Sequence, residues 1–295
     1  MSTYWKHVSK YDKTLSKIAD GLGLQKSGVS SAFKRASQKD LDALNGRSLG
    51  DWTFVSVFID GKGFAGHTCR VAMGITLEGS KHILGVREGA SENAEIVTDL
   101  LNDLRERGLN TSEKALFVLD GSKALAKGVS NIFGERGVIQ RCILHKERNV
   151  LSYLPKQWQA QACRRMRAAW AMTEYEDAKS ALTKVLEWLQ GLNESAAASL
   201  REGFEQTLTV HKLGVTGTLR KTLQTTNPIE FAFDTVGRFS GRVKRWNGAK
   251  MVMRWVGSGL IQAEKQFRRV KGYQTIPALV SSLSSDPLQD NQDVA

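Results

Sequence analysis

Apolar residues recur along this chain with two different periods. Between residues 52 and 87 they gather in the runs 52–59, 69–76 and 81–87, rich in Val, Ile, Phe and Leu, which predicts three strands. Leu77-Glu78-Gly79-Ser80 reads as the turn of a hairpin joining the last two. The period then becomes helical over 91–107, where Ile96, Val97, Leu100, Leu101 and Leu104 share one face and Ser91 stands in a capping position. A strand at 115–119, a helix over 122–133 and a strand at 137–141 follow. From 142 to 222 the pattern is helical throughout, with Trp158, Trp170, Leu182, Leu186 and Leu189 as core candidates. Ahead of the strands, residues 12–35 carry a helix-turn-helix-like pattern. Leu15, Ile18 and Ala19 form its apolar face, Gly21 to Gly23 its turn, and Ser27-Gly28-Val29-Ser30 the start of a second helix. Residues 37–50 read as a polar connector, and the polar end of the chain, 286–295, as disordered.

Three antiparallel strands, a helix, a strand, a helix and a strand is the element order of a ribonuclease H-like domain. The expected class is therefore α/β: a ribonuclease H-like mixed sheet with an all-helical insertion and a short N-terminal helical segment. The corresponding divisions are 1–48 for that segment and 49–150 for the first part of the core. The insertion takes 151–222, completion of the core with basic C-terminal helices 223–283, and the tail 284–295.

Composition narrows the function. The net charge of +12 over 295 residues points to a polyanionic partner. The charge is also clustered: ten Lys or Arg stand against the single acid Glu264 between Arg238 and Gly272. Seven stand against Glu147 alone between Arg141 and Arg167. No apolar stretch approaches the ~20 residues that span a bilayer, and Lys6, His7, Lys10 and Lys13 replace the apolar block of a signal peptide. Cys69, Cys142 and Cys163 are too few and too irregular for a disulfide framework. A cytoplasmic, nucleoid-associated protein is expected.

Asp60 closes the run Phe54 to Ile59, Asp120 closes Ala115 to Leu119, and Glu230 follows Thr225-Thr226-Asn227-Pro228-Ile229 at the start of a helix. Each aspartate alone is explained by a turn or a cap. Yet Asp60-Gly61 and Asp120-Gly121 repeat one arrangement, and the carboxyl ends of parallel neighbours face a common crevice. Three carboxylates suit Mg²⁺, a hard cation that takes oxygen ligands. Two such ions would serve phosphodiester chemistry, with Asp60 shared and Asp120 and Glu230 completing one side each, and Mn²⁺ able to substitute. Thr225 to Asn227 before Pro228 read as an N-cap that fixes Glu230 in the first turn.

The segment Gln140-Arg141-Cys142-Ile143-Leu144-His145-Lys146-Glu147-Arg148-Asn149-Val150 resembles the Cys-x-x-His signature of Mutator-type transposases of bacterial insertion sequences. The resemblance extends to Asp60, to Gly85–Glu92, to Asp120-Gly121-Ser122-Lys123-Ala124-Leu125, to Thr225–Glu230 and to the basic run ending Arg245-Trp246. It covers roughly 50–280, in the family's order and spacing. It implies a DDE transposase that is ribonuclease H-like, with catalytic carboxylates Asp60, Asp120 and Glu230 and with Cys142 and His145 near the active site. The implied partners are double-stranded DNA, at terminal inverted repeats and at the target, and a second copy of the chain, because synapsis of two ends calls for two active sites. Only 59 residues precede Asp60, fewer than the family carries, so reduced recognition of the repeats or a truncated member is expected. Phe231-Ala232-Phe233-Asp234 is also more apolar than the family pattern.

Cys142, His145, His67 and Cys69 would make a zinc set by type, but His67 and Cys69 belong to the second strand and Cys142 follows the fifth, so a structural reading of the pair is preferred. Arg141, Lys146, Arg148, Asn227, Arg238, Arg242, Lys244 and Arg245 are the expected DNA contacts. Trp246 is the expected stacking residue, while Trp255 belongs to a core stripe. Two alternatives to a transposase stand beside it: a non-catalytic DNA-binding protein derived from one, and a ribonuclease H-like nuclease acting on RNA or a junction.

Overall fold

The computed structural model describes residues 26–89, 94–110 and 114–285. Most of the helix-turn-helix-like pattern, Ser91 and the polar tail lie outside the described residues. Its second part is included, as the start of α1 (Lys26–Gly46). That helix runs through the stretch read as a connector. Leu41 and Leu44 supply the reason, since they turn its C-terminal half onto the core.

A five-stranded sheet follows, built from β1 (Phe54–Phe64), β2 (His67–Thr76), β3 (Lys81–Glu88), β4 (Ala115–Leu119) and β5 (Gly137–Arg141). Its order is β3-β2-β1-β4-β5. β1, β2 and β3 are antiparallel, whereas β1-β4 and β4-β5 are parallel. The connections to β4 and β5 pass through α2 (Ala94–Glu106) and α3 (Lys123–Phe133). β1 runs four residues beyond Asp60, because Gly61 to Phe64 still pair with Arg70 to His67 across the hairpin. Asp60 therefore lies inside a strand, although the parallel pairing with β4 stops at Ile59 and Leu119.

Both faces of the sheet are covered. Val57, Ile59, Ala72, Leu84 and Phe117 pack with Leu100, Leu101 and Leu104 of α2 and Leu125 of α3. Phe58, Val71, Met73 and Val118 pack on the other face with Ile229 and Phe233 of α10 (Asn227–Ser240) and Val256 and Leu260 of α11 (Ala249–Glu264). After α11 the chain closes with α12 (Ile276–Ser284).

Between β5 and α10 the described residues are helical: α4 (Ile143–Ser152), α5 (Lys156–Ala171), α6 (Tyr175–Gln190), α7 (Glu194–Arg201), the short α8 (Thr209–Lys212) and α9 (Gly217–Leu223). Val150, Met166, Trp170, Leu182, Leu189 and Leu200 form a core of their own. Val210, Leu213, Leu219 and Leu223 join the sheet core instead, so the two hydrophobic clusters meet at residues 208–210.

The junction is tied by polar groups at the end of α5. Arg220 donates to the carbonyls of Ala171, Met172 and Thr173, and His211 Nε2 lies 3.2 Å from the carbonyl of Trp170. Burial, aided by the Arg220 charge, pushes His211 down to about 4 from 6.5. The unfolded chain thus takes up this proton near pH 6.5 and the folded chain only near pH 4. His211 accordingly favours folding fully above pH 6.5, an advantage lost as pH falls to about 4. We expect an acid-side stability loss of roughly 3 kcal/mol from this group. Urea unfolding from about pH 7 to about pH 4 should show a flatter profile in His211→Gln than in the parent.

Candidate active site

The register of β1 and β4 delivers two carboxylates together. Ile59 opposes Leu119, so Asp60 and Asp120 leave the parallel pair side by side. A backbone N–H takes one oxygen of each. Asp60 Oδ1 accepts from the Gly61 N–H at 2.8 Å, and Asp120 Oδ1 from the Ser122 N–H at 2.8 Å, while Ser122 Oγ caps α3 by accepting from Leu125. The turn reading therefore fits Asp120, at the loop that leads into α3, and not Asp60, which lies within β1. Asp60 is 4% exposed; burial raises its carboxyl above the usual range, while His145, Thr226 and the Gly61 N–H counteract and the neighbouring Asp120 adds to the rise.

Glu230 reaches the same region through α10. Thr226 occupies the cap position but makes no side-chain capping bond, contrary to the expected N-cap. Its hydroxyl instead hydrogen-bonds to Asp60 and lies 3.6 Å from Cys142 Sγ. One turn on comes Glu230, and a further turn on Asp234, which pairs with Lys62 Nζ at 3.2 Å. Thr226, Glu230 and Asp234 form one i, i+4 stripe. With both its ends on β1, the stripe turns Glu230 toward the strand that carries Asp60. Glu230 pairs with Arg148 at 3.6 Å.

Cys142 and His145 complete the junction. Cys142 is wholly buried at the start of α4, and its sulfur accepts the Thr226 N–H at 3.4 Å. Cys142 therefore clamps the start of the Glu230 helix to the end of β5. His145 Nε2 stands 4.0 Å from Asp60 Oδ1. The adjacent Cys142 sulfur, followed by the charges of Asp60 and Asp120, pushes His145 up to about 9 against the pull of burial. Burial alone would raise the Cys142 thiol, but His145 brings it below its ordinary value. His67 meets Glu88 and Cys69 lies 3.8 Å from Met253, with β1 and β4 between them and Cys142.

Arg70 is a member of the site that sequence reasoning missed. It is fully buried, none of its guanidinium nitrogens has a hydrogen-bond partner, and its Nη1 lies 3.9 Å from Asp120 Oδ2. It reaches Asp120 past Gly61, its partner across the hairpin, which offers no side chain in the way. An arginine inside the apolar run 69–76 was the available signal.

The expected DNA contacts divide. Arg148, Asn227, Arg238, Arg242, Lys244 and Arg245 are exposed. Lys146 is buried, donating to the carbonyls of Ser199 and Glu202, and burial followed by the Arg141 charge pushes it down to about 8. Arg141 is 6% exposed and bonds to Gly121 O and to Glu202. Neither lies on an outward basic surface; both faced inward because their sheet-side and α4 positions pack against the 199–203 segment. Trp246 is half-buried, its ring 6.4 Å from that of Trp255, so it belongs to the core margin rather than to an open stacking platform.

Asp60 and Asp120 fit a hard divalent cation by ligand type and placement, at the ends of two paired parallel segments. Among the described residues no three His, Cys, Asp or Glu side chains converge closely enough to hold one. Glu230 faces Arg148 instead.

Known proteins show the same sequence pattern. The sequence model of the family described as "Transposase, Mutator family" matches residues 1–270. The transposase for insertion sequence element IST2 of Acidithiobacillus ferrooxidans is 28% identical over 237 residues, 76% of this chain and 77% of that one. The transposase for IS6120 of Mycolicibacterium smegmatis is 26% identical over 239 residues, 79% of this chain and 72% of that one. The transposase for IS256 in transposon Tn4001 of Staphylococcus aureus is 26% identical over 202 residues, 68% of this chain and 50% of that one.

Proposed function

The chain belongs to the Mutator family of transposases, and from that premise we propose that it is a DDE transposase acting at the ends of an insertion element. In this reading the sheet is the ribonuclease H-like core and 151–222 its helical insertion. The observation that carries the proposal is the register of β1 and β4, which sets Asp60 beside Asp120, with the Glu230 helix hooked onto Asp60 through Thr226.

Asp60, Asp120 and Glu230 would hold Mg²⁺, with Mn²⁺ able to substitute. When bound, the metal supplies charge neutralisation at the phosphate and a water of lowered pKa. The residues themselves set where that happens. Thr226 and the Gly61 N–H orient Asp60, and the Ser122 N–H orients Asp120. A shift of Glu230 away from Arg148 would bring the third carboxylate in, leaving the exposed Arg148 guanidinium free for a DNA phosphate. Hydrolysis of one phosphodiester frees a 3′ hydroxyl at the element's end. That hydroxyl then attacks a target phosphodiester, displacing the target strand's own 3′ oxygen. Asn227, Arg238, Arg242, Lys244 and Arg245 supply phosphate contacts along the same side of the chain, and two copies would synapse two ends.

The test uses the DNA that flanks this reading frame. A gel assay should show a retarded complex with and without Mg²⁺ and nicked product only with it. Binding with no nicking in either condition would instead identify a non-catalytic DNA-binding protein.

A further inference from the structure

A cavity of about 330 Å³ opens beside Asp120, between the start of α3 and the 202–206 segment. Its volume lies at the small end of ligand pockets, which run from about 300 Å³ upward. Leu119, Ala126 and Ile139 give it apolar walls. Its polar groups are of both kinds: Lys123 donates, the Glu202 and Asp120 carboxylates accept, and the Ser122 hydroxyl and Gln206 amide do either, with the Arg141 guanidinium behind them. Arg141 is held in place, since Nη1 donates to Glu202 O and Nη2 to Gly121 O and to Glu202 Oε2, while a Cβ on Gly121 would stand only 2.8 Å from Nη2. Among the described residues its buried Nε–H has no partner.

A phosphate matches this cavity poorly, because it would face the Glu202 carboxylate and gain nothing from apolar walls. A single nucleobase matches it. We propose that the cavity receives one unpaired guanine turned out of the duplex next to the phosphodiester held at Asp60 and Asp120. This rests on the transposase reading and adds a base contact to it. Guanine is the best complement: its adjacent N1–H and N2–H₂ donors face the Glu202 carboxylate, and its O6 and N7 acceptors face Lys123 and the Gln206 amide. Cytosine and adenine offer fewer donors on one edge, and thymine fewer still. Taking a base out of the stack costs a few kcal/mol, which a walled pocket with matched polar groups offsets.

Saturation-transfer NMR on the full chain tests this with the four deoxynucleoside monophosphates and 2-deoxyribose 5-phosphate as probes. Deoxyguanosine monophosphate should bind in the millimolar range, at least about fivefold more tightly than the other three, and the sugar phosphate should not bind. Ala126→Phe fills the cavity from α3 and should abolish that binding with the unfolding temperature retained. Glu202→Gln, which keeps the shape and removes one acceptor role, should lower the preference for guanine. Equal binding of all four nucleotides, equal binding of the sugar phosphate, a ranking led by another base, or no binding would each overturn the proposal. Nucleotide binding is read without cleavage, so this inference can fail while Asp60, Asp120 and Glu230 stand, and the reverse.

Discussion

Asp60→Asn, Asp120→Asn and Glu230→Gln are each expected to lower nicking of the flanking DNA in Mg²⁺ by at least about a thousandfold, the scale of removing one part of a preorganised charge-stabilising site. Affinity for the same DNA should stay within about twofold, because phosphate contacts from Lys and Arg dominate it. The isosteric changes matter for Asp120 in particular: Asn keeps an acceptor for the Ser122 N–H and a polar neighbour for Arg70. Asp60 is the most buried of the three, so its variant also reports whether Thr226 still docks. End-labelled DNA resolved on a denaturing gel gives the readout. Cleavage retained by any one variant would remove that residue from the catalytic set.

Gly203→Ala is expected to be the most damaging small substitution in the helical part of the chain. Gly203 has φ +68°, where an L side chain is strained, and a Cβ there would run into Arg141 Nη1. Arg141 would have to leave Glu202 and Gly121, and the Gly121 bond is what ties the Asp120 loop to the 202–203 segment. Gly214 provides the comparison. Its φ is +65°, with nothing within 4 Å of an added Cβ, so Gly214→Ala measures backbone strain alone. Strain of this kind costs about 1–2 kcal/mol. Leaving buried donors and acceptors without partners adds about 1–3 kcal/mol, so Gly203→Ala should exceed Gly214→Ala by that amount in urea unfolding. It should also slow nicking, which Gly214→Ala should not. Equal stability losses in the two would mean that Arg141 yields without consequence.

The strands were legible because their apolar runs are short, dense and bounded by glycine-rich turns; β4 and β5 begin and end where the pattern places them. β1 was read too short, since Gly61 to Gly63 carry no apolar signal and are held by hairpin pairing alone. The α1 helix was cut short for a related reason: Leu41 and Leu44 are sparse among polar residues, and only their packing on the sheet core gives them meaning. Two of the site's parts could be placed from sequence, the aspartates by the repeated strand-end pattern and Glu230 by its helix start. What could not be read was the wiring between them. That Thr226 turns to Asp60 and Cys142 instead of capping its own helix depends on contacts between residues 84 or more positions apart. The inward fate of Arg141 and Lys146 depends likewise on a segment that closes on them some 55 residues later.

Arg70 bears on what can be learned from comparing copies of such an element. A fully buried guanidinium whose ion-pair partner among the described residues is Asp120 gives that aspartate a part in stability apart from any part in chemistry, since a non-polar residue there would leave the cation without a polar neighbour. A copy that no longer moves is then still under selection to keep Asp120 for as long as the protein is kept folded. Glu230, a third exposed and paired only with a surface arginine, carries no such second constraint. Among decayed copies the glutamate should disappear first, and its survival is the better witness that an element remains alive.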